Sequence, residues 1–198
     1  MAEYIKRASL ILKSTYPFLT DDDVKALLEI SQFSVCHNKE VLIKSGQNKQ
    51  KSFFILKGMI RGYFVNKKGE EKNIFLRPEY TITGAPECLF QNKPTKYTFE
   101  SILETELLVF KFDELRSLGK KHPNLIQVNF EALQENILTL ISRVESLINL
   151  TPEERYESLL ERSPQFFQMA FNKHIANYLG ITAVSLSRII KRRSNSNN

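Results

Sequence analysis

Cysteine is scarce in this chain of 198 residues, and the scarcity excludes several classes of protein. The two cysteines, Cys36 and Cys88, are too few for a disulfide framework, a four-thiolate zinc site or an iron–sulfur cluster. A reducing cytosol suits such a composition, so we expect a cytoplasmic protein. Haem could draw only on His37, His122 and His174, which we interpret as ordinary polar residues. We predict neither a metal nor a cofactor.

Long apolar runs and the motifs of common enzymes are missing as well. The N-terminal segment MAEYIKRASLILKSTY has too short an apolar run for a signal peptide, and no stretch approaches the length of a membrane span. No Ser/His/Asp constellation, Walker loop, HExxH motif or well-placed pair of carboxylates is present, so we do not predict an enzyme. The sequence favours a binding protein without a membrane partner.

Negative charge is absent from the C-terminal end of the chain. The formal net charge of the protein is +6 and its isoelectric point is near 9.2, which permits an anionic partner without specifying one. Between Gln165 and Asn198 there is no Asp or Glu. The same segment contains five cations, namely Lys173, Arg188, Lys191, Arg192 and Arg193. The most basic surface is therefore expected near the C-terminus.

The N-terminal and middle parts of the chain differ in periodicity. The first thirty residues are predicted to be helical, and TDDDVKALLEI begins a helix with Thr20 as its N-cap and Asp23 three residues later. From about Phe33 to Phe112 the runs VLI, SFFIL, IRGYFV, NIFL and ELLVFKF are short and rich in β-branched and aromatic residues. NKKGEE is a hairpin signal between two of these runs. The pattern predicts a β-barrel or a β-sandwich.

A heptad repeat of apolar residues follows Pro123 and predicts one long helix. Intervals of four and three residues alternate through Ile126, Phe130, Leu133, Ile137, Leu140, Val144 and Leu147. We call this set the seam. β-Branched residues at a positions with leucine at d positions favour a parallel two-stranded coiled coil, so the seam is the predicted dimer contact. The alternative is a core helix within one subunit.

The segment LTPEER ends the long helix and begins another one. Thr151 can cap the new helix, Pro152 fits its first position, and Glu154 completes a capping box. We therefore expect the long helix to end near Leu150 and place a domain boundary there.

The stretch HIANYLGITAVSLSRIIKRR has the spacing of a helix-turn-helix. Ala176 must be small because the second helix crosses over it, and Gly180 can adopt the left-handed conformation that ends the first helix. Thr182 is a suitable N-cap for the second helix. The core shared by the two helices is predicted to contain Ile175, Leu179, Ile181, Leu186 and Ile189.

The second helix of this hairpin has an outward face that suits DNA. Val184 has no structural purpose on an exposed face, whereas a thymine methyl group would give it one, and Arg188 could reach a guanine edge or a phosphate. Lys191, Arg192 and Arg193 lie farther along and are predicted to meet phosphates. The full set of predicted DNA contacts is Lys173, Thr182, Ala183, Val184, Ser187, Arg188, Lys191, Arg192 and Arg193. The alternative is a helical hairpin with a solvated cationic face.

In its order of parts the sequence resembles the Crp/Fnr transcription regulators. SFFILKGMIRGYFVNKKGEEKNIFL is similar to that family's central hairpin, and HIANYLGITAVSLSRIIK is similar to its recognition motif, with Arg188 matching a typical base- or phosphate-contacting arginine. The resemblance implies an α+β protein: an N-terminal β-roll (a double-stranded β-helix, cyclic-nucleotide-binding-like), a long dimerisation helix, and a C-terminal winged-helix-like helix-turn-helix domain. It also implies a homodimer that binds double-stranded DNA and has RNA polymerase among its partners.

The resemblance divides the chain into a sensor domain over residues 1–122, a dimerisation helix over 123–150 and a DNA-binding domain over 151–198. Ala183 and Val184 stand where better-known members carry Arg and Glu, so we expect a different operator. Strands preceding the recognition helix would have to lie between Ser163 and Phe171, a segment that the sequence leaves open between strand and helix.

The effector pocket implied by the resemblance is degenerate. Gly84 is retained, but Ala85 stands in place of the ribose-binding glutamate and Thr95 in place of the phosphate-binding arginine. Tyr97 replaces a small alanine, and Lys96 cannot reproduce a bidentate arginine fork. We therefore predict that cyclic AMP is not the effector, and the effector itself is unknown. An alternative function is a ligand-binding signalling module whose C-terminal hairpin docks on a protein partner, although the acid-free basic face argues against it.

Overall fold

A computed structural model describes residues 2–196, which form a β-roll framed by helices. The strands are β1 (Gln32–Cys36), β2 (Val41–Ile43), β3 (Lys51–Lys57), β4 (Ile60–Val65), β5 (Glu71–Arg77), β6 (Ile82–Gly84), β7 (Thr98–Ser101) and β8 (Thr105–Lys111). The helices are α1 (Ala2–Thr15), α2 (Asp21–Glu29), α3 (Pro86–Gln91), α4 (Phe112–Gly119), α5 (Pro123–Asn149), α6 (Pro152–Arg162), α7 (Gln165–Met169), α8 (Asn172–Tyr178) and α9 (Ala183–Ser196).

Two four-stranded antiparallel sheets make up the β-roll. One has the strand order β1-β8-β3-β6 and the other β2-β7-β4-β5, so each sheet combines strands from distant parts of the sequence. Apolar side chains such as Phe53, Ile55, Phe99 and Leu107 are buried between the sheets. Gly58 makes the tight turn from β3 to β4 with φ +92°, and a Cβ there would lie 2.5 Å from the Glu104 carbonyl oxygen, so the turn requires glycine.

The N-terminal helices pack on the outside of the first sheet. The predicted capping box of α2 is confirmed: Thr20 Oγ1 accepts a hydrogen bond from Asp23 N at 3.1 Å, and Asp23 accepts one from Thr20 N at 2.9 Å. Asp23 also accepts from Asn124 Nδ2 at 2.8 Å and lies 2.9 Å from His122 Nδ1. Burial alone would raise the pKa of Asp23, but these hydrogen bonds together lower it. Asp23 thus ties α2 to the start of α5.

The predicted long helix is α5, whose 27 residues span about 40 Å at 1.5 Å per residue. Leu125, Val128 and Ala132 are buried on the face that packs against the β-roll. The helix ends at Asn149, and the predicted capping box of α6 is confirmed because Thr151 Oγ1 accepts from Glu154 N while Glu154 accepts from Thr151 N. The change of helix near residue 150 is therefore confirmed.

The four C-terminal helices share a hydrophobic core with the β-roll. Met59, Leu76 and Ile102 of the roll belong to the same buried cluster as Ile175 and Leu186 of α8 and α9. The segment left open between strand and helix forms α7, and no strand lies between residues 151 and 196. The C-terminal helices are thus packed directly on the second sheet.

The predicted fold class is confirmed in its main parts. All five predicted apolar runs are strands, and NKKGEE connects β4 to β5 as a hairpin. The five runs did not include β1, β6 or β7, and the pattern did not indicate α3 or α4. These strands have three to five residues and these helices six or eight, which is too short to establish a period.

Candidate nucleic-acid interface

The turn between α8 and α9 has the geometry that the sequence predicted. Gly180 has φ +71°, its N–H donates to the Asn177 carbonyl at 3.1 Å, and Ile181 N–H donates to the Ala176 carbonyl at 2.9 Å. This pair of bonds is the Schellman arrangement, in which a left-handed residue ends the helix. Thr182 then caps α9, since its Oγ1 accepts from Ser185 N at 3.0 Å.

The two helices cross over a small buried contact. Ala176 is 1% exposed and Leu186 is fully buried, as expected where one helix passes over the other. The predicted shared core is confirmed, with Ile175, Leu179, Leu186 and Ile189 buried and Ile181 packed against them. The outward face of α9 follows from this packing.

The outward face of α9 carries most of the predicted DNA contacts. Val184 is 60% exposed, so its side chain is accessible to a partner. The exposed predicted residues on and beside this face are Lys173, Thr182, Ala183, Val184, Ser187, Arg188 and Lys191. The structure therefore brings the N-terminal end of α9 together as one accessible surface.

The last two predicted cations have partners within the protein. Arg192 Nη2 lies 2.7 Å from Glu153 Oε1, and Arg193 Nη1 lies 2.9 Å from Glu157 Oε2, both carboxylates belonging to α6. Arg193 also lies over the ring of Tyr156, at 5.7 Å from its centroid. Exposed pairs of this kind are weak, so both arginines can exchange these partners for phosphates. Their assignment as phosphate contacts stays a prediction.

Helix α8 is held against strand β5 by a reciprocal pair of asparagines. Asn177 Oδ1 accepts from Asn73 N at 2.6 Å, and Asn177 Nδ2 donates to the Glu71 carbonyl at 2.7 Å. In return, Asn73 Nδ2 donates to the His174 carbonyl at 3.1 Å. Asn73 is 1% exposed and its bond to the His174 carbonyl is buried, whereas the bond from Asn177 to the Glu71 carbonyl is exposed. The side chains of Asn73 and Asn177 thus form hydrogen bonds with backbone groups across the junction.

Arg143 of α5 clamps the same junction. Its guanidinium donates to the carbonyls of Asn73 and Ile74 in β5, each at 2.8 Å, and to the carbonyl of Tyr178 in α8 at 2.9 Å and 3.2 Å. The guanidinium carbon also lies 4.1 Å from the centroid of the Tyr178 ring. Burial lowers the pKa of Arg143. One side chain therefore connects the long helix, the β-roll and the helical hairpin.

A buried charge network lies behind this junction. Arg61 in β4 pairs with Glu100 at 3.0 Å and with Glu71 at 2.7 Å, and it donates to Asn73 Oδ1 at 3.3 Å. His174 is buried beside it, and burial together with the nearby Arg61 cation lowers the pKa of His174 to about 4. The imidazole of His174 is therefore neutral at neutral pH.

The predicted seam lies on a largely exposed face of α5, part of which borders the space between α5 and the β-roll. Phe130 is 66% exposed, Ile137 55% and Val144 53%, although all three are large apolar side chains. Ile126, Leu133 and Leu147 are exposed as well, and Leu140 is half-buried. The alternative of a helix buried on all sides within one subunit does not fit this exposure. The adjacent Leu138, Ile141 and Ile148 widen the apolar face.

Several residues of the predicted effector pocket are packed against other groups of the protein. Ala85 and Thr95 are buried, and Thr95 Oγ1 donates to Glu87 Oε2 at 3.0 Å. Tyr97 lies inside the roll against the rings of Phe64 and Phe75. Lys96 is exposed, with its Nζ 5.2 Å from the Tyr97 ring centroid. Gly84, next to Ala85 in the chain, lines the space between the roll and α5.

Within residues 2–196 no group of three or more His, Cys, Asp or Glu side chains is placed to hold a metal ion. None of the helices in the same range has the length and apolarity that crossing a membrane demands.

Comparison with known proteins connects this geometry to a family. Residues 35–122 match the model of the cyclic nucleotide-binding domain. The chain is 25% identical over 165 residues to the anaerobic regulatory protein of Haemophilus influenzae, an alignment that covers 77% of this chain and 63% of that protein. It is 25% identical over 170 residues to the fumarate and nitrate reduction regulatory protein of Yersinia pestis, covering 80% and 67%. FixK2 from Bradyrhizobium japonicum has a similar structure, with a TM-score of 0.73 and 14% identity over 85% of this chain and 86% of that one.

The chain contains a cyclic nucleotide-binding domain and is similar over most of its length to regulators of the Crp/Fnr type. The alignment spans 63% of the length of the H. influenzae relative, less than two thirds of that protein. The similarity to FixK2 concerns the fold alone, because the identity is low.

The sequence did not predict the residues that join the β-roll to the helical hairpin. Asn73, Arg143 and Asn177 each belong to regular periodic segments and carry no motif. A signal was nevertheless present at Arg143, because it interrupts the run of apolar and small residues in α5 between Ile141 and Val144. A charged residue beside an apolar stripe indicates a buried partner when the helix is packed on that side.

Proposed function

We propose that the protein is a homodimeric, sequence-specific DNA-binding transcription regulator. One observation carries the proposal: a helix-turn-helix of the predicted geometry presents an exposed face of α9 without any acidic residue, and the chain also offers an exposed apolar seam on α5. The regulatory names of the H. influenzae and Y. pestis relatives support it. A contact with RNA polymerase stays a prediction.

The seam provides the argument for a dimer. An apolar face of this length is unusual on a monomeric protein and marks an interaction surface. Its heptad spacing matches a second copy of the same helix, and a two-fold axis along α5 would pair each residue with its counterpart. Two copies of α9 would then face the same side of the dimer. A pseudo-palindromic duplex with half-sites about 34 Å apart has the matching symmetry.

The direct test is selection of fragments from a random pool of duplex DNA by the full-length protein. We expect enrichment of an inverted repeat whose half-sites lie about one helical turn apart, or roughly 10 base pairs. Enrichment of no sequence, with weak binding to all duplexes, would contradict the proposal. In that case the signalling module that docks on a protein partner becomes the better interpretation.

The dimer is tested separately by sedimentation of the double variant Leu133→Glu, Leu140→Glu. Charges on the seam should produce a monomer, because each glutamate would have to be desolvated against an apolar partner. Leu10→Glu is the matched control, since Leu10 is equally apolar and 62% exposed but lies on α1. A double variant that remains a dimer at micromolar concentration would place the contact elsewhere.

Independence from cyclic AMP is also part of the proposal. The positions of the ribose- and phosphate-binding residues are taken by Ala85 and Thr95, and Tyr97 fills the space between the sheets. A desolvated phosphate without a charge-assisted partner is unfavourable. Calorimetry with cyclic AMP should detect no binding, and a micromolar dissociation constant would overturn this part.

A further inference from the structure

A cleft lies between the C-terminal half of α5 and the helices that follow it. Its volume is about 390 Å³, within the range of sites that bind small molecules. Its walls come from α5, α6, α7 and α8, so it is separate from the interior of the β-roll. One part of the lining is apolar, with Leu138, Leu159 and Phe166, and another part carries the hydroxyls of Thr139 and Ser142. The cleft thus offers both apolar and polar contacts.

The charge of the cleft is positive. Among residues 2–196, the charged side chains that line it are those of Glu135, Arg143, Arg155 and Arg162. Three cations and one carboxylate give a formal charge of +2. A ligand group with two negative charges would therefore neutralise the cleft, whereas a group with one would leave a cation unmatched.

Arg155 is the cation of this set that lacks a partner altogether. Its side chain is half-buried, and its Nε is buried without a hydrogen-bond acceptor. In the part of the chain that the structure describes, no ion pair and no side-chain hydrogen bond is formed by Arg155. A buried donor of a charged group without an acceptor is unfavourable. An anion in the cleft would remove this cost.

The surrounding charged groups are already engaged elsewhere. Arg143 donates to three backbone carbonyls at the junction with β5 and α8, so it contributes charge to the cleft more than free donors. Glu153 and Glu157 belong to the same helix as Arg155, but both pair with arginines of α9. The protein therefore does not supply the carboxylate that Arg155 lacks.

Arg162 adds a second guanidinium to the same wall. It follows Arg155 by seven positions, which is close to two helical turns and places both on one face of α6. Its Nε donates to the Ser158 carbonyl at 3.2 Å, and no ion pair of Arg162 is present within residues 2–196. Arg162 is exposed whereas Arg155 is half-buried, so Arg155 lies deeper in the cleft.

We propose that this cleft binds the phosphate group of a small phosphate monoester. A monoester carries a charge of about −1.5 to −2 at pH 7 and three strong acceptor oxygens, which match the charge and the donors of the cleft. The Arg155 fork would donate two hydrogen bonds to it, and Arg162 would approach from the solvent side. The apolar wall at Leu159 and Phe166 would pack against the organic body of the ester.

The experiment is calorimetry of the full-length protein with phenyl phosphate and phenyl sulfate. The two probes have nearly the same shape, but the sulfate ester carries only one negative charge. We expect phenyl phosphate to bind about tenfold more tightly than phenyl sulfate, the equivalent of one charge-assisted pair. The measurement contains no DNA, so its result does not depend on the proposed function.

Two variants on α6 test the assigned donors. Arg155→Gln should weaken the binding of phenyl phosphate by about tenfold or more and remove the preference over phenyl sulfate. Arg162→Gln should weaken it by a smaller factor, because that side chain is exposed. Arg116→Gln is the matched control: Arg116 is an exposed arginine of α4, paired with Asp113 and outside the cleft. It should leave the affinity unchanged.

The melting temperature separates binding from folding. Arg155→Gln without probe should melt no lower than the native protein, because it removes a charged donor that has no partner. Phenyl phosphate should raise the melting temperature of the native protein and not that of the variant. Equal affinity for the two probes, an equal loss in Arg116→Gln, or no binding at millimolar concentration would overturn the proposal. So would a loss in Lys191→Gln with full binding in Arg155→Gln, since the probe would then occupy the face proposed for DNA.

Discussion

The two helices of the hairpin have opposite surroundings although a short turn joins them. Helix α8 buries His174, Ile175, Ala176 and Tyr178 and is fastened to β5 and α5 by hydrogen bonds. Helix α9 buries only the apolar side that rests on α8 and exposes the other, with Val184 and Arg188 facing solvent. One helix of the motif therefore packs on the rest of the protein, whereas the outward face of the other is accessible to a partner.

This difference indicates that the two helices of the motif have different roles. The polar contacts of α8 fix the position of the hairpin relative to the β-roll. The outward face of α9 has no comparable structural role. Substitutions at the α8 junction should therefore change stability, whereas substitutions on the outward face of α9 should change binding. The four predictions below test that separation.

The largest expected effect is at Arg143. Arg143→Met removes all donors to the carbonyls of Asn73, Ile74 and Tyr178 and leaves them without a partner at a buried junction. Loss of these charged hydrogen bonds should lower the free energy of unfolding by about 3 kcal/mol. Denaturant unfolding measures it, with Arg116→Met as a control that should change stability by less than about 0.5 kcal/mol. Equal effects in the two variants would show that the clamp contributes nothing.

How far the sequence predicted these features depends on the distance that each contact spans along the chain. Both capping boxes and the turn at Gly180 join residues three to five positions apart, so the pattern of Thr, Glu and Gly was sufficient. The seam repeats within a single helix. In each case the residue types and their spacing contain the whole interaction.

The junction could not be predicted in the same way. The bond between Asn73 and Asn177 joins residues 104 positions apart, and Arg143 lies 70 positions from Asn73. Which residues meet there depends on how α5 places the hairpin on the roll.

Binding should depend on α9 where stability does not. Arg188→Ala should weaken binding to the selected duplex by about 1–3 kcal/mol and relax the preference at one position in each half-site. Lys191→Ala should weaken binding to all sequences about equally and make the salt dependence shallower by roughly one ion. Titrations against selected and scrambled duplexes at several salt concentrations distinguish the two. Neither variant should change the melting temperature. A clear fall in the melting temperature of either would contradict the proposed separation between residues that determine stability and residues that determine binding.

The pH dependence of stability tests the packing of α8, because α8 buries His174. Its pKa is lowered to about 4 from an ordinary value near 6.5, so the unfolded chain binds the proton more tightly than the folded protein. The stability that depends on neutral His174 is complete above pH 6.5 and is lost as the pH falls towards 4. Between pH 7 and 5 the free energy of unfolding should fall by about 2 kcal/mol from this group. His174→Leu should flatten that part of the curve, and an unchanged slope would mean that other groups cause it.

The smallest effect is expected where the two regions meet, at the pair between Arg193 of α9 and Glu157 of α6. Both side chains are partly exposed, so the pair should contribute only about 0.2–1 kcal/mol to stability. Glu157→Gln removes a carboxylate that competes with phosphate for Arg193. If Arg193 contacts the DNA backbone, affinity should rise by up to about fivefold for all sequences, the equivalent of 1 kcal/mol. The salt dependence should steepen by roughly one ion.

Glu161→Gln makes the same change of charge on the exposed part of α6, and no ion pair is recorded for Glu161 within residues 2–196. An equal gain in both variants would reveal only the change in net charge, and Arg193 would then belong with the structural residues rather than with the DNA contacts.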